Sequence, residues 1–251
     1  MILQVYKRIG ETTSELANRV KHEYGANKVA VCGKLDPMAR GLTSVLTDDK
    51  TKLMEQYMKR DKTYEFKIIF GIKTDTDDIM GLVNGFEQSG CRDEDIINYK
   101  KAIDEICSCT TQHFHPFSAI KIRMNGKRQS LHQWTLEKKM SIDDLPIKSV
   151  NVITKEYGDP QKLCIHAYYK HIKERLSKIS SLNRTTFRVP EIECKWDEVM
   201  QTIGQSDNNE VLILPVKLRV SSGFYIRMLP YYLKEQYNIP AHIYDIHRTE
   251  L

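Results

Sequence analysis

No apolar run in this 251-residue sequence approaches the length of a membrane span, and the opening MILQVYKRIG is too short and too charged for a signal peptide. The six cysteines are scattered. Only Cys107 and Cys109 stand close, as C-x-C, without the second pair that a zinc ribbon needs, and no histidines show an H-x-x-x-H spacing. A P-loop and a dinucleotide-binding glycine fingerprint are both missing, as are internal repeats and low-complexity linkers. These absences argue against a disulfide framework, a resident metal and a nucleotide or redox cofactor. They fit an intracellular, reducing compartment, the cytoplasm or nucleus first and the mitochondrion as the alternative.

What is present is the composition of a globular chain, 41% apolar and 28% charged, large enough to bury a proper core. A net charge of +5 permits a polyanionic partner without demanding one. ILQVY reads as a strand. Thr12 and Glu15 then have the spacing of a capping box ahead of a helix whose apolar face carries Leu16, Val20 and Tyr24. GLTSVLT reads as a strand, residues 48–58 as a helix, and TYEFKIIFG, with its alternation, as a strand. A helix is expected over residues 93–107 and an Asn125-Gly126 turn after it. From about 159 to 210 the chain turns polar and less periodic; its most basic part, YYKHIKERLSKISSLNRTTFR, is expected to be helical in its first half. VLILPVKLRV reads as a strand, FYIRMLPYYLKEQY as a helix and AHIYDIHRTEL as a final strand. Strands and helices do not alternate strictly, so the expected class is α+β, a mostly antiparallel mixed sheet flanked by helices.

One stretch, CGKLDPMARG (Cys32 to Gly41), combines two glycines, an Asp-Pro pair and two cations. Glycine frees φ and proline fixes it, so this is a shaped loop presenting Asp36 in a set direction. Taken alone, an Asp-Pro turn on the surface is the ordinary reading. The order of segments changes that. KVAVCGKLDPMARGLTSVL, TKLMEQYMKRDKTY, GIKTDTDDIMG, QHFHPFSAIKIRMNGK and SSGFYIRMLPYYLKEQYNIPAHIYDIHRTEL follow one another as do the motifs of the TruB family of tRNA pseudouridine synthases, which this chain resembles over residues 1–155 and 215–251.

The resemblance implies a pseudouridine-synthase fold in a single catalytic domain, with an active-site cleft across the sheet and a mobile thumb at about 118–150 that closes over RNA. It implies that Asp36 is the essential carboxylate, that Tyr64 stacks on the flipped uracil, and that Tyr225 and Arg227 supply the pocket tyrosine and the arginine that pairs with the acid. Ile246 would line the uracil pocket, and Lys7 and Lys121 would be substrate contacts. Lys121, Arg123, Lys127 and Arg128 form a plausible phosphate-contact set, and Lys170, Lys173, Arg175 and Lys178 could extend it. Implied partners are the T-arm of tRNA, at uridine 55, and messenger RNA as a further candidate, with the protein acting as a monomer away from membranes. No cofactor is needed because the reaction breaks N1–C1′, turns the base and joins C5 to C1′ without net gain of atoms. An aspartate can stabilise positive character at C1′, attack it, or take a proton from C2′.

The chain departs from the motifs at four places: Arg8 stands for a proline, Val31 for a histidine, and Phe114-His115 for a Pro-Pro pair, while residues 159–210 are an insertion. A C-terminal PUA domain is not expected after Leu251, an arrangement closer to eukaryotic-type members. Because Val31 replaces a histidine that contacts displaced RNA, a non-catalytic tRNA chaperone or RNA-binding module is the alternative expectation. A small-molecule glycosidic-bond enzyme is a distant third.

Overall fold

The structure, a computed structural model, describes residues 1–87, 92, 94–124, 126–137, 141–203 and 209–251. It opens with β1 (Ile2–Lys7), α1 (Thr13–Glu23), β2 (Val29–Cys32) and β3 (Ala39–Thr47). Thr12 caps α1 as expected: its hydroxyl accepts from the Glu15 amide at 3.1 Å while the Glu15 carboxylate accepts from the Thr12 amide at 2.7 Å. Residues 48–58 form a 3-10 turn followed by a short α2 (Met54–Met58) rather than one helix. Then come β4 (Lys62–Phe70), β5 (Ile72–Thr74), β6 (Val83–Phe86), α3 (Asp95–Ser108) and β7 (Thr111–His113). The segment expected to act as a thumb holds the hairpin β8 (Lys121–Met124) and β9 (Lys127–Ser130), α4 (Leu131–Glu137) and β10 (Ile147–Ser149). Asp93 and Asn125, expected in the α3 helix and in the turn, lie outside the described residues.

Past the thumb come β11 (Val152–Tyr157), β12 (Gln161–Cys164), α5 (Ile165–Leu176), α6 (Val189–Ile203), β13 (Glu210–Val220), α7 (Met228–Tyr237) and β14 (Ala241–Glu250). The main sheet runs β1-β3-β14-β4-β13-β11, with β2 beside β3 and β12 beside β13. Only the β3–β14 pairing is parallel in this sheet, so the mixed, mostly antiparallel α+β expectation holds. Pro215 sits inside β13, which lies between two neighbours, a place where a missing N–H normally breaks a ladder. Here the break falls where it costs little: β12 pairs with residues 210–213 and β11 with 216–220, and Pro215 marks the changeover, its carbonyl accepting from Gly158 at 2.9 Å.

Alternation on β4 divides the core. Tyr64, Phe66, Ile68 and Phe70 point to one face, under α3 and α7, and share it with Leu212, Leu214, Val216 and Leu218 of β13 and Ile246 of β14. Ile69 and Ile213 point to the other face, where α5 and α6 cover them with Ile165, Tyr168, Ile172, Ile192 and Trp196, all buried. Residues 159–210 are therefore not a polar excursion, since their second half forms a helix that completes a core layer. The basic run is also partly neutralised from within: Arg175 pairs with Asp245 at 3.0 Å, and Lys173 with Asp197 at 3.3 Å.

Two glycines are required by close approach. Gly41 has φ +124°, and a Cβ there would strike the backbone of Arg248 across the parallel β3–β14 pairing. Gly10 has φ +82°, and its missing Cβ makes room for the carbonyl of Lys178 just past the end of α5. The segment that follows α5 thus rests directly on the turn after β1.

Candidate active site

The loop between β2 and β3 is held from three sides. Lys7, expected among the substrate contacts, is instead 1% exposed, and its ammonium donates to the carbonyls of Arg8 (3.2 Å), Pro37 (3.2 Å) and Ala39 (2.7 Å). The physical reason is that a buried ammonium needs acceptors, and the turn around Asp36 supplies them. Lys7 therefore shapes the loop and has no donor left over for RNA. Burial lowers the Lys7 amine to about 8. Gly10 N–H donates to Pro37 O at 2.9 Å, and Arg248, fully buried, donates to Gly33 O (3.2 Å) and Leu42 O (2.6 Å) on either side of the loop.

From this loop the Asp36 carboxylate meets Arg227 in a two-point contact, Nε to Oδ2 at 2.8 Å and Nη2 to Oδ1 at 3.1 Å. The acid remains 42% exposed at its side chain whereas the guanidinium is 6% exposed. Arg227 sits at the N-cap of α7, and every part of its fork is used. Nη1 donates to Thr76 O (3.2 Å) and to His115 Nδ1 (3.2 Å), Nη2 also reaches Phe117 O (3.4 Å), and Nε lies 3.6 Å from Asp78 Oδ2.

The segment Thr74 to Asp78 supports this fork. Asp78 Oδ1 accepts from the Thr76 hydroxyl (2.6 Å) and the Met80 amide (2.9 Å), leaving Oδ2 toward Arg227. Burial pushes Asp78 up to about 6 against the pull of Arg227. Asp77 is pushed up to about 6 in the same way, opposed by Lys234 at 3.0 Å. Among the described residues no cluster of three or more His, Cys, Asp or Glu could hold a metal ion.

Of the other residues singled out in the sequence, Tyr64 and Ile246 are each 8% exposed and belong to the same apolar cluster as Leu35 and Ile226, the sequence neighbours of Asp36 and Arg227. Tyr225 packs on the edge of that cluster. Gln112 pins its backbone, donating to Tyr225 O (3.2 Å) and accepting from Tyr225 N–H (2.8 Å). Phe114 meets the Tyr225 ring edge-on at 5.8 Å, and Lys148 Nζ lies 3.5 Å from the ring centre. That ammonium has no hydrogen-bond partner among the described residues, and burial lowers it to about 7. Lys121 and Arg123 project from the exposed side of β8, and Lys127 and Arg128 from β9, while Ile122 and Met124 pack inward on Leu131 and Trp134. Val31, at the motif histidine, joins Leu16, Val20 and Val45 in the core beneath α1.

The residues missed by sequence reasoning are His115, Asp77, Asp78, Lys234 and Lys148. Asp78 could have been read from its motif, but the others lie at positions where the motif is silent or carries another residue.

Residues 21–159 match the model of the TruB family pseudouridylate synthases, N-terminal domain. The chain belongs to the TruB family. Its members isomerise uridine to pseudouridine, and TruB relatives recur among characterised proteins. The tRNA pseudouridine synthase B of Aquifex aeolicus is 27% identical over 230 residues, 85% of this chain and 77% of that protein. The Nostoc and Endomicrobium trichonymphae enzymes of the same name are 28% and 31% identical over 61% and 51% of this chain. The matched region spans only 49% and 54% of those two relatives. In fold, the TruB-type chain is similar to a chain of a Cbf5-Nop10-Gar1 complex, with a TM-score of 0.52 at 14% identity, over 99% of this chain and 48% of that one.

Proposed function

We propose that this chain is a cofactor-independent tRNA pseudouridine synthase acting on uridine 55 of the T-loop, with Asp36 as the reacting carboxylate. The observation that carries the reading is the two-point Asp36–Arg227 contact, which pairs a half-exposed acid with a buried guanidinium. Such a contact fixes the carboxylate plane and leaves its accessible edge free for a ribose. Asp36 then either adds to C1′ or takes the C2′ proton as N1–C1′ breaks. The freed uracil turns and C5 bonds to C1′, displacing Asp36 where it had added or with return of its proton to C2′ where it had taken one, and the proton leaving C5 is balanced by one gained at N1.

The uridine must leave its stack to reach the carboxylate, at a cost of about a few kcal/mol. Stacking on an aromatic ring returns on the order of 1–3 kcal/mol per base. Tyr225 offers a ring at the edge of the core, and Tyr64, being buried, becomes available only as neighbours give way. Ile246 supplies an apolar wall, and the cations of the β8–β9 hairpin, Lys121 among them, meet backbone phosphates. The protein works as a monomer in a reducing compartment, a setting that suits its free cysteines. Messenger RNA presenting the same loop is a further substrate.

Unmodified tRNA transcripts incubated with the protein and mapped by carbodiimide-dependent primer extension should show pseudouridine at position 55. Asp36→Asn should bind the same tRNA and modify none of it. Full refolding of tRNA by Asp36→Asn, with no modification by the wild type, would transfer the case to an RNA chaperone.

A further inference from the structure

His115 is 0% exposed and touches three polar groups whose chemistry fixes its protonation. Its Nδ1 lies 3.1 Å from the Phe117 amide and 3.2 Å from Arg227 Nη1. Both of those can only donate, so Nδ1 must present its lone pair. Its Nε2 lies 3.1 Å from Asp77 Oδ2, which accepts, so Nε2 carries the proton. The other carboxylate oxygen of Asp77, Oδ1, is taken by the Lys234 ammonium at 3.0 Å, and an ammonium is again a donor only. The direction of every hydrogen is therefore set along one line, from Lys234 through Asp77 and His115 to Arg227, and the far edge of Arg227 grips Asp36. A proline at position 115, as in the motif, could make none of these contacts.

We propose that Lys234, Asp77 and His115 form a positioning chain that holds Arg227, and through it Asp36, in register with the substrate. This rests on the reading of Asp36 and Arg227 given above. Burial and the nearby Arg227 charge both depress the His115 imidazole well below its ordinary value, which keeps the neutral ring that the geometry requires.

The Lys234 end makes the proposal separable from simple packing. In Asp77→Asn the ammonium, whose other near acceptor is Glu235 Oε1 at 3.8 Å, still draws the amide oxygen at position 77. The new amide must therefore turn its NH2 toward His115 Nε2, which drives the proton to Nδ1 against Arg227 and Phe117. In the double variant Asp77→Asn, Lys234→Met the amide is released to turn its oxygen to His115, and the original tautomer returns.

Two measurements test this. Nitrogen-15 chemical shifts of the His115 ring at pH 7, in the RNA-free protein, should report the Nε2–H tautomer in the wild type and the double variant and Nδ1–H in Asp77→Asn. Turnover on tRNA should follow the tautomer. Asp77→Asn should lower kcat by about 10-fold to 100-fold, the usual effect of losing a residue that orients a reacting group, with KM little changed, and the double variant should recover most of it. A wild-type ring protonated at Nδ1 or at both nitrogens overturns the proposal even where turnover is normal. So does a tautomer that switches as expected in Asp77→Asn while kcat does not move. A wild type without turnover but with the expected tautomers would instead overturn the synthase reading, and the coupling to catalysis with it.

Discussion

Asp36→Asn preserves the shape of the carboxylate while removing its charge and half of its accepting capacity toward Arg227. Because the side chain is 42% exposed and lies in a loop held by Lys7 and Arg248, the variant should keep the wild-type melting temperature within about 2 °C while losing all measurable pseudouridine formation. Arg227→Lys should be worse for stability and nearly as bad for activity. A lysine cannot bridge Asp36, Thr76 and His115 from one planar group, and the expected loss in kcat is about 10²- to 10³-fold, measured by single-turnover assays. At this scale the sequence exposed what the motifs carry. Asp36 and Arg227 were legible because their neighbours recur in order. His115 was visible only as a departure, since its meaning depends on Asp77 and Lys234, which lie far from it in the chain and meet it only after folding.

The thumb hairpin and the insertion make different predictions. Lys121, Arg123 and Lys127 project outward from a hairpin whose other side is apolar, so replacing all three by Gln should leave the fold intact. The plot of log Kd against log salt should flatten, by roughly 0.7–0.9 for each phosphate that is no longer neutralised. A slope equal to that of the wild type would remove the hairpin from the RNA interface. Trp196 of α6, fully buried on the second face of the sheet, should instead act on stability: Trp196→Ala should cost about 3–5 kcal/mol by urea titration, with the folded fraction still active. The capping box made α1 readable from two residues. The α6 stripe of Val189, Ile192, Trp196, Val199 and Ile203 has a helical period too, but Glu191, Glu193, Lys195, Asp197 and Glu198 alternate with it and dilute the apolar signal. Strand β13 was legible despite Pro215, because an unbroken apolar run, Val211 to Leu214, precedes the proline and an alternating stretch, Val216 to Val220, follows it. That two different partners meet at the proline is a tertiary fact with no local mark.

For the molecule as a whole, buried titratable groups set the pH dependence of stability. Asp77 and Asp78, raised by burial from 3.8 to about 6, bind more protons folded than unfolded between those values, so their contribution falls as pH rises through that window. His242, lowered by burial from 6.5 to about 4, binds fewer, and its contribution rises over nearly the same range. The two effects oppose each other. Above neutrality the lysines act together: Lys148, lowered to about 7, and Lys7 and Lys62, lowered to about 8, all favour the folded state increasingly as pH climbs toward the ordinary lysine value. The melting temperature should therefore rise from pH 7 to pH 9. Lys148→Met should raise it at pH 7 and reduce that slope, and His242→Gln should shift the slope between pH 4 and 6 toward negative values, with His115 left as the buried histidine that opposes the two aspartates. Differential scanning fluorimetry across pH 4–9 checks all three.

Arg248 fastens a loop that lies 215 residues earlier in the chain. At about 5–20 residues per second, a ribosome needs roughly ten to forty seconds to travel from one to the other. For most of that interval the acid at position 36 exists without its guanidinium partner, 191 residues further on, and for all of it without the arginine that shapes its loop. Translation therefore separates the making of the Asp36 carboxylate from its aiming.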